Sequence, residues 1–382
     1  MGSGSRACSL GAITVCLAFV AGAHAQPRYS VTVIGGLGHQ PASGPISSSL
    51  GLNNNGRVVG YGYTGVTQIQ ALSWRNGSLA SLGGVFAFDL TFANDVNSLG
   101  RIVGSGCYTD SSGGVVASRA VKWTGGVMSD LGSLGGQISG ALAINDSEQI
   151  VGFSSTAGEE RTRAFIHQHG KMTAIDTLPG EIESYAYDIS NTGFVVGAAV
   201  TSAPAKPFLW RNGSARPLYI PAEARAGAAS AVNDSGLAVG TYEINQFTGS
   251  FAAVLWQSGR MVELGNLGGA LAYASAADVN NGGEVVGTSN SPDGFTGFLW
   301  YSGRMFDLRD LLVPGTSGVV ITAANSINDN GQIAATALVN GRQTAVLLTP
   351  VAGIPGPSVL TSLSAGGYLA TRRRRRVTPP RV

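Results

Sequence analysis

A short phrase recurs seven times along this chain, and it constrains the fold more than any other feature. It reads GLNNNGRVVG from Gly51, DVNSLGRIVG from Asp95, AINDSEQIVG from Ala143 and DISNTGFVVG from Asp188. It returns as AVNDSGLAVG from Ala231, DVNNGGEVVG from Asp278 and SINDNGQIAA from Ser326. We number the copies 1 to 7 in chain order. The third residue of each is Asn53, Asn97, Asn145, Ser190, Asn233, Asn280 and Asn328, at spacings of 44, 48, 45, 43, 47 and 48. A period in the mid-forties is that of a four-stranded propeller blade. It is too long for one rung of a simple β-helix. The copies alternate and turn, where a helical repeat would show apolar residues every 3.6 positions.

One unit divides into four short strands. The first ends at the repeated Asn, as in Gly140-Ala141-Leu142-Ala143-Ile144-Asn145. Asn-x-x-Gly then reads as a hairpin turn, because Asn and Gly tolerate positive φ and the Asn side chain bonds nearby backbone. Val-Val-Gly is the second strand. A variable loop leads to a third, typified by Pro207-Phe208-Leu209-Trp210. A turn such as Arg75-Asn76-Gly77 leads to a fourth, as in Arg260 to Leu264, and Leu-Gly-x-Leu-Gly-Gly crosses to the next unit.

Four residues before the repeated Asn stands a small residue in every copy: Ser49, Ala93, Ala141, Ala186, Ala229, Ala276 and Ala324. Strands converging on an axis leave little room, so this strand is predicted to be innermost. All five tryptophans, Trp74, Trp123, Trp210, Trp256 and Trp300, share one third-strand position, taken by His167 in copy 3 and Leu348 in copy 7. An aromatic at a fixed blade position reads as packing. The phase of the ends predicts closure. Residues 29–38 form a fourth strand and crossover with no preceding three, and Thr344 to Leu348 is a third strand with no fourth. The expected fold is therefore all-β: a seven-bladed β-propeller of four-stranded antiparallel blades, closed by the N-terminal strand completing the last blade. Such a clasp removes a bare sheet edge.

These units resemble the HAF repeat of probable bacterial extracellular proteins, whose consensus runs close to His-Ala-Phe-Leu-Trp, Asp-Leu-Gly-Thr-Leu-Gly-Gly, Ile-Asn, Gly and Val-Gly. The best matches are Asp130 to Gly136 and Glu263 to Gly269, while Ala164-Phe165 follows Arg163 in place of His. The resemblance covers nearly all of residues 29–349. It implies export and a repeat β architecture, and carries no catalytic residue.

The ends are read separately, which divides the chain into 1–25, 26–350 and 351–382. Residues 1–25 hold Arg6, an apolar run from Leu10 to Ala23 and an Ala23-His24-Ala25 site. That is the pattern of a secretory signal peptide cleaved before Gln26. The run is short for a membrane span of about 20 residues. At the other end, Pro355-Gly356-Pro357 precedes a moderately apolar stretch, Ser358 to Thr371, and then Arg372, Arg373, Arg374, Arg375 and Arg376. This resembles the PEP-CTERM sorting signal of exopolysaccharide-producing Gram-negative bacteria, with Gly356 in place of the family's Glu. The resemblance implies transient membrane association and removal by an exosortase-like enzyme. As a helix the stretch reaches about 21 Å, against a hydrocarbon core of about 30 Å.

Removing both ends reverses the charge. Seven of the basic residues lie outside 26–350, leaving 17 against 22 acidic, so the body is mildly acidic. Together with the export signal, this removes the case for a nucleic-acid partner. Cys107 is the one cysteine outside the leader, so no internal disulfide is expected, and a buried small apolar role fits it.

No chemistry emerges from the repeat. Outside the leader the histidines are His39, His167 and His169, and no G-x-S-x-G elbow occurs. His167 and His169 alternate, as two ligands on one side would, but a metal site needs one or two more. The Asn145-Asp146, Asn233-Asp234 and Asn328-Asp329 turns lack calcium-loop spacing. Asn76-Gly77-Ser78 and Asn212-Gly213-Ser214 match glycosylation sequons but are also the residues of a tight turn. No cofactor is expected. The variable loops Thr64–Gln70, Cys107–Ser118, Ser154–Thr162, Tyr242–Ser250 and Ser289–Thr296 are where function on a rigid ring would lie.

The reading is an exported, noncatalytic binding or structural module of the cell envelope or exopolysaccharide matrix, with polysaccharide or envelope proteins as partners. It belongs outside the cell or in the outer envelope. The alternative is a secreted glycan-active enzyme with carboxylates at the ring's mouth. Glu181 and Glu183, just ahead of an inner strand, are its candidate pair.

Overall fold

The computed structural model describes residues 26–37, 47–64, 68–83, 88–159, 161–200, 204–245 and 247–351. The signal segment 1–25, His39, Pro355, Pro357 and Arg372 to Arg376 lie outside them. Among the described residues every regular element is a β-strand except one 3-10 turn at Ala157–Glu159. No described helix is long and apolar enough to cross a membrane.

The chain is an all-β propeller of four-stranded antiparallel blades. Copy 4 shows the unit: Glu183–Ile189, Val195–Val200, Lys206–Arg211 and Ser214–Pro217 pair in sequence order. Copies 1, 5 and 6 form sheets of the same order. In copy 7 the fourth place is taken by the N-terminal strand Tyr29–Gly35, which runs antiparallel to Arg342–Pro350. Copies 2 and 3 depart from the expectation of separate blades. They form one eight-stranded sheet, joined by a single parallel pairing of Ile138 with Ser118. Beside it lies a side-chain stitch, in which Ser118 Oγ donates to Ser139 O and Ala120 N donates to Ser139 Oγ, each at 3.0 Å.

That stitch recurs. Ala71 N donates to Thr91 Oγ1 between copies 1 and 2, and Ala164 N to Ser184 Oγ between copies 3 and 4. Ala345 N donates to Ser47 Oγ between copies 7 and 1. The first and last copies thus meet through the same contact that joins internal neighbours.

Packing follows the sequence pattern. The paired apolar residues of the second strands, among them Val58, Val59, Val195 and Val196, are fully buried. Each such side chain contributes about 1.5–3 kcal/mol by leaving water. The small inner-strand residues are buried too. Their neighbours explain the Gly of Val-Val-Gly: a Cβ at Gly104 would stand 1.9 Å from Phe92 O. Copy 7 has Ala335 there, and its inner strand shows a second register shift, between Ile321 and Ala323.

All seven inner strands carry a register shift at one place, two residues before the repeated Asn, as between Ala93 and Asp95 or Ala186 and Asp188. A bulge inserts a residue and re-aims the next side chain. Here it turns residues such as Asp95 toward the axis.

The third-to-fourth-strand hairpins are two-residue turns with both central residues at positive φ, such as Asn76 (49°) and Gly77 (83°). These match the twist of the flanking strands. The loops between second and third strands are shorter than expected. In copy 6, pairing continues to Ser291 with Gly294, so only Pro292 and Asp293 turn the chain. In copy 2 it reaches Thr109 with Val115. Backbone groups there find partners by prolonging the ladder.

Candidate functional site

The repeated turns meet around the axis and line a channel of about 170 Å³. Their Asn residues do two jobs. The Oδ1 of Asn53 accepts from Asn55 N and Arg57 N, both at 3.0 Å, which closes the turn. Positive φ falls on the later Gly56, not on Asn53, so the expected left-handed role for the Asn is corrected. The Nδ2 reaches out of its own copy. Asn53 donates to Asn97 O, Asn97 to Asn145 O and Asn145 to Ser190 O, at 2.8, 3.0 and 3.1 Å. Asn233 donates to Asn280 O, Asn280 to Asn328 O and Asn328 back to Asn53 O, at 3.0, 3.2 and 3.0 Å.

Ser190 interrupts this belt. Its hydroxyl accepts from Phe194 N, keeping the turn, but it has no amide to reach copy 5. Thr192 Oγ1 instead donates to Asp234 O at 2.8 Å.

A second pattern was not read from the sequence. Two residues before the Asn stand Gly51, Asp95, Ala143, Asp188, Ala231, Asp278 and Ser326; one after it stand Asn54, Ser98, Asp146, Asn191, Asp234, Asn281 and Asp329. Carboxylates alternate, inner in copies 2, 4 and 6, outer in copies 3, 5 and 7. Asp95 Oδ2 accepts from Ile144 N, Asp188 Oδ2 from Val232 N and Asp278 Oδ2 from Ile327 N, at 2.9, 2.7 and 2.8 Å. Across the same three interfaces Asp146 accepts from Ser98 N, Asp234 from Asn191 N and Asp329 from Asn281 N, each at 2.8 Å. The 3–4, 5–6 and 7–1 interfaces use side-chain amide oxygens there, as when Asp329 N donates to Asn54 Oδ1 at 2.9 Å, and between copies 1 and 2 Asn55 Nδ2 donates to Ser98 O. Copies therefore pair as 2–3, 4–5 and 6–7. Alternation keeps like charges out of equivalent neighbouring positions, where they would repel. The signal was visible as D-x-[NS]-[SN] alternating with [AS]-x-N-D, but it required comparing copies two apart.

The inner carboxyls lie deep in the channel and keep only partial contact with solvent. Burial pushes Asp188 up to about 8, helped by the charge of Asp278. Burial pushes Asp95 up to about 6, against the opposing pull of the Ile144 and Val96 amides. Asp278 rises for the same first reason. Each inner carboxylate also accepts from the amide that follows it, as Asp95 Oδ1 does from Val96 N at 2.7 Å. These groups are committed to holding neighbouring copies.

The other candidates separate. Trp74, Trp123 and Trp256 are buried, and Trp210 and Trp300 are half-buried between blades. Trp123 Nε1 donates to Gly83 O and Trp256 Nε1 to Tyr219 O, so the shared position is packing with a backbone tie. His167 and His169 do not converge. His167 is buried at the Trp position, and burial lowers its pKa; His169 is exposed at a positive-φ turn. No group of metal-ligating side chains occurs among the described residues. Cys107 is a buried free thiol. Glu181 is drawn into an ion pair, Oε1 lying 2.7 Å from Arg163 Nη2, while Glu183 Oε2 accepts from Tyr185 Oη at 3.2 Å.

The architecture defines the class of protein, a β-propeller. No family model matches the chain, and no curated protein matches it. Solved structures match at the level of the fold. A puromycin-hydrolysing peptidase of Mycobacterium tuberculosis is 13% identical, with a TM-score of 0.44; the match covers 81% of this chain and 51% of that one. A YCF48 structure bound to D1 peptide is 12% identical, with a TM-score of 0.45 and coverage of 89% and 97%. The β-propeller domain of the Trilobed protease from Pyrococcus furiosus, described as an open velcro topology, is 9% identical, with a TM-score of 0.44 and coverage of 84% and 100%. The chain spans about half the length of the peptidase. At such distances the likeness carries no functional argument.

Proposed function

We propose that this chain is an exported seven-bladed propeller serving as a noncatalytic binding or structural module of the cell envelope or exopolysaccharide matrix. On this reading the single pairing of Ile138 with Ser118 bridges two blades. The observation that carries the reading is the belt around the axis. Asn and Asp side chains of the repeat are spent on amides and carbonyls of neighbouring copies, and the Asn328-to-Asn53 bond joins the last copy to the first. A ring so built is a rigid mount for loops. Export rests on the signal-peptide pattern of residues 1–25, and the matrix setting on the PEP-CTERM resemblance of residues 351–382.

Binding of the purified 26–350 fragment to a glycan array, beside a hydrolase screen, tests this reading. Retention of a polysaccharide without turnover is expected. Reproducible hydrolysis lost in Glu183→Gln would replace it with the glycan-active enzyme. Sorting has its own test, the mass of the exported product in its native host. Retention of Arg372 to Arg376 on that product would refute processing. Closure is tested by deleting residues 26–35. Tyr29 and Ile34 are buried in the last blade, so a loss of about 5 kcal/mol or more is expected from two side chains and a strand's pairing. An unchanged melting curve would argue for an open array.

A further inference from the structure

A second cavity, of about 530 Å³, opens at the loop end of copies 6 and 7. Its size falls in the range of about 300–1,000 Å³ typical of ligand pockets, which the axial channel does not reach. Its apolar lining includes Leu267 and Met305, which pack against one core cluster, and Phe306, which packs against another on the opposite face of the strand. A guanidinium held in a fixed pose also lines the cavity. Arg309 Nε lies 3.1 and 3.0 Å from the two Asp307 oxygens, and Nη2 lies 2.6 Å from Oδ2. Nη2 also donates to Ser291 Oγ at 2.8 Å. Asp307 is itself fixed, accepting from Thr296 Oγ1 at 2.8 Å. Among the described residues the remaining nitrogen, Nη1, meets only Asp293 Oδ2, at 3.6 Å, an ion pair beyond hydrogen-bond length. The Asp293 side chain is 78% exposed. An oriented donor and an exposed acceptor, loosely ion-paired, thus stand side by side in a cavity with an apolar lining.

We infer that this cavity is a subsite for a neutral sugar residue of a polysaccharide. The inference rests on the proposed binding role and names where and what the ring binds. A pyranose presents an apolar C–H face and an edge of hydroxyls that both donate and accept. Leu267 and Met305, which share one cluster, suit the face. Arg309 Nη1 donates to one hydroxyl and Asp293 accepts from its neighbour. Charge selects against acidic sugars, since Asp293, Asp307 and Asp310 surround one guanidinium. The wall is preformed, because Asp307 and Ser291 fix Arg309 before any ligand arrives, which lowers the ordering cost of binding. The cavity also depends on the clasp: Tyr29 N donates to Leu311 O at 2.8 Å, and Arg28 Nη1 to Asp310 O at 2.7 Å.

The test is titration of the 26–350 fragment with neutral gluco-, galacto- and manno-oligosaccharides, read by calorimetry and ligand-observed NMR. Binding of at least one series is expected. Asp293→Ala and Arg309→Lys should each weaken it about tenfold, the loss of a charge-assisted hydrogen bond. Asp293→Ala should melt as the wild type does, so it decides the matter if Arg309→Lys misfolds. Wild-type affinity in Asp293→Ala, preference for uronic acid oligomers, or binding of peptides but no saccharide would each overturn the subsite. Retention of matrix polysaccharide separates the two levels. If Asp293→Ala retains it as well as the wild type, the subsite is wrong and the binding role stands. If the wild type retains none, the polysaccharide-binding role falls as well.

Discussion

The two ends of the strands are built on opposite plans. At the turn end, copies are near-identical, and their side chains bond the next copy around the axis. At the loop end, where second strands turn into third strands and crossovers run, copies diverge, and the larger cavity lies there. The difference teaches that repetition here is a closure device. A residue that must bond its counterpart a copy away cannot vary freely, whereas a hairpin on the far side can. Recognition therefore has room at one end only.

The comparison is broken most forcefully by Gly104→Ala. Its Cβ would strike Phe92 O, a backbone atom with nowhere to move. A loss of about 3 kcal/mol or more is expected in urea unfolding, and wild-type stability would show that the inner strand is slack. Asn97→Ala should come next. It strips Arg101 N of its acceptor and leaves Asn145 O with Glu148 N alone, for about 1–3 kcal/mol. As the contrast from the loop end, Phe247→Ser, at an 89% exposed position, should stay within about 0.5 kcal/mol. Equal losses from the two would dissolve the distinction.

Ser190→Asn sharpens the comparison in the opposite direction. It restores the missing amide, and its Oδ1 can still accept from Phe194 N, so a gain of about 1 kcal/mol is expected. A loss would show that Thr192 has remodelled the gap beyond repair.

The remaining effect is electrostatic. The folded chain holds the Asp188 proton up to about pH 8, while the unfolded chain releases it near 3.9. Between those values the folded state binds more protons, so stability falls as pH rises through the window. His167, lowered in the folded state, acts in the opposite sense below about 6.5. A urea series from pH 6.5 to 8 therefore avoids His167 and reads the raised channel carboxyls, which the Asp188 substitution separates. The midpoint should drift down with pH in the wild type and stay flatter in Asp188→Asn. A rising midpoint would place the carboxyl in a more polar setting than the channel provides.

Much of this was legible beforehand. The period gave the blade, because four strands and their turns need that many residues. The small residues marked the inner strand, because converging strands exclude bulk. The split phase of the ends matched the pairing of Tyr29–Gly35 with Arg342–Pro350. The candidate site was much less legible. Glu181 and Glu183 looked free, and Arg163 and Tyr185, which engage them, gave no local sign of doing so. His167 and His169 looked alike, and a two-residue turn sent them apart.

By itself, the sequence determined the strand order, the turns and the spacing of the copies. All of these follow from neighbours along the chain, through φ preferences and the two-residue alternation of a strand. Only the tertiary structure decided which groups are spent and which are free. Asn328 meets Asn53 across 275 residues, and Arg309 is fixed by Ser291 at the end of a distant strand, leaving Nη1 only a loose ion pair with Asp293. Hydrogen bonds saturate, so a polar residue's availability depends on partners brought to it by the closed ring, and no local pattern records them.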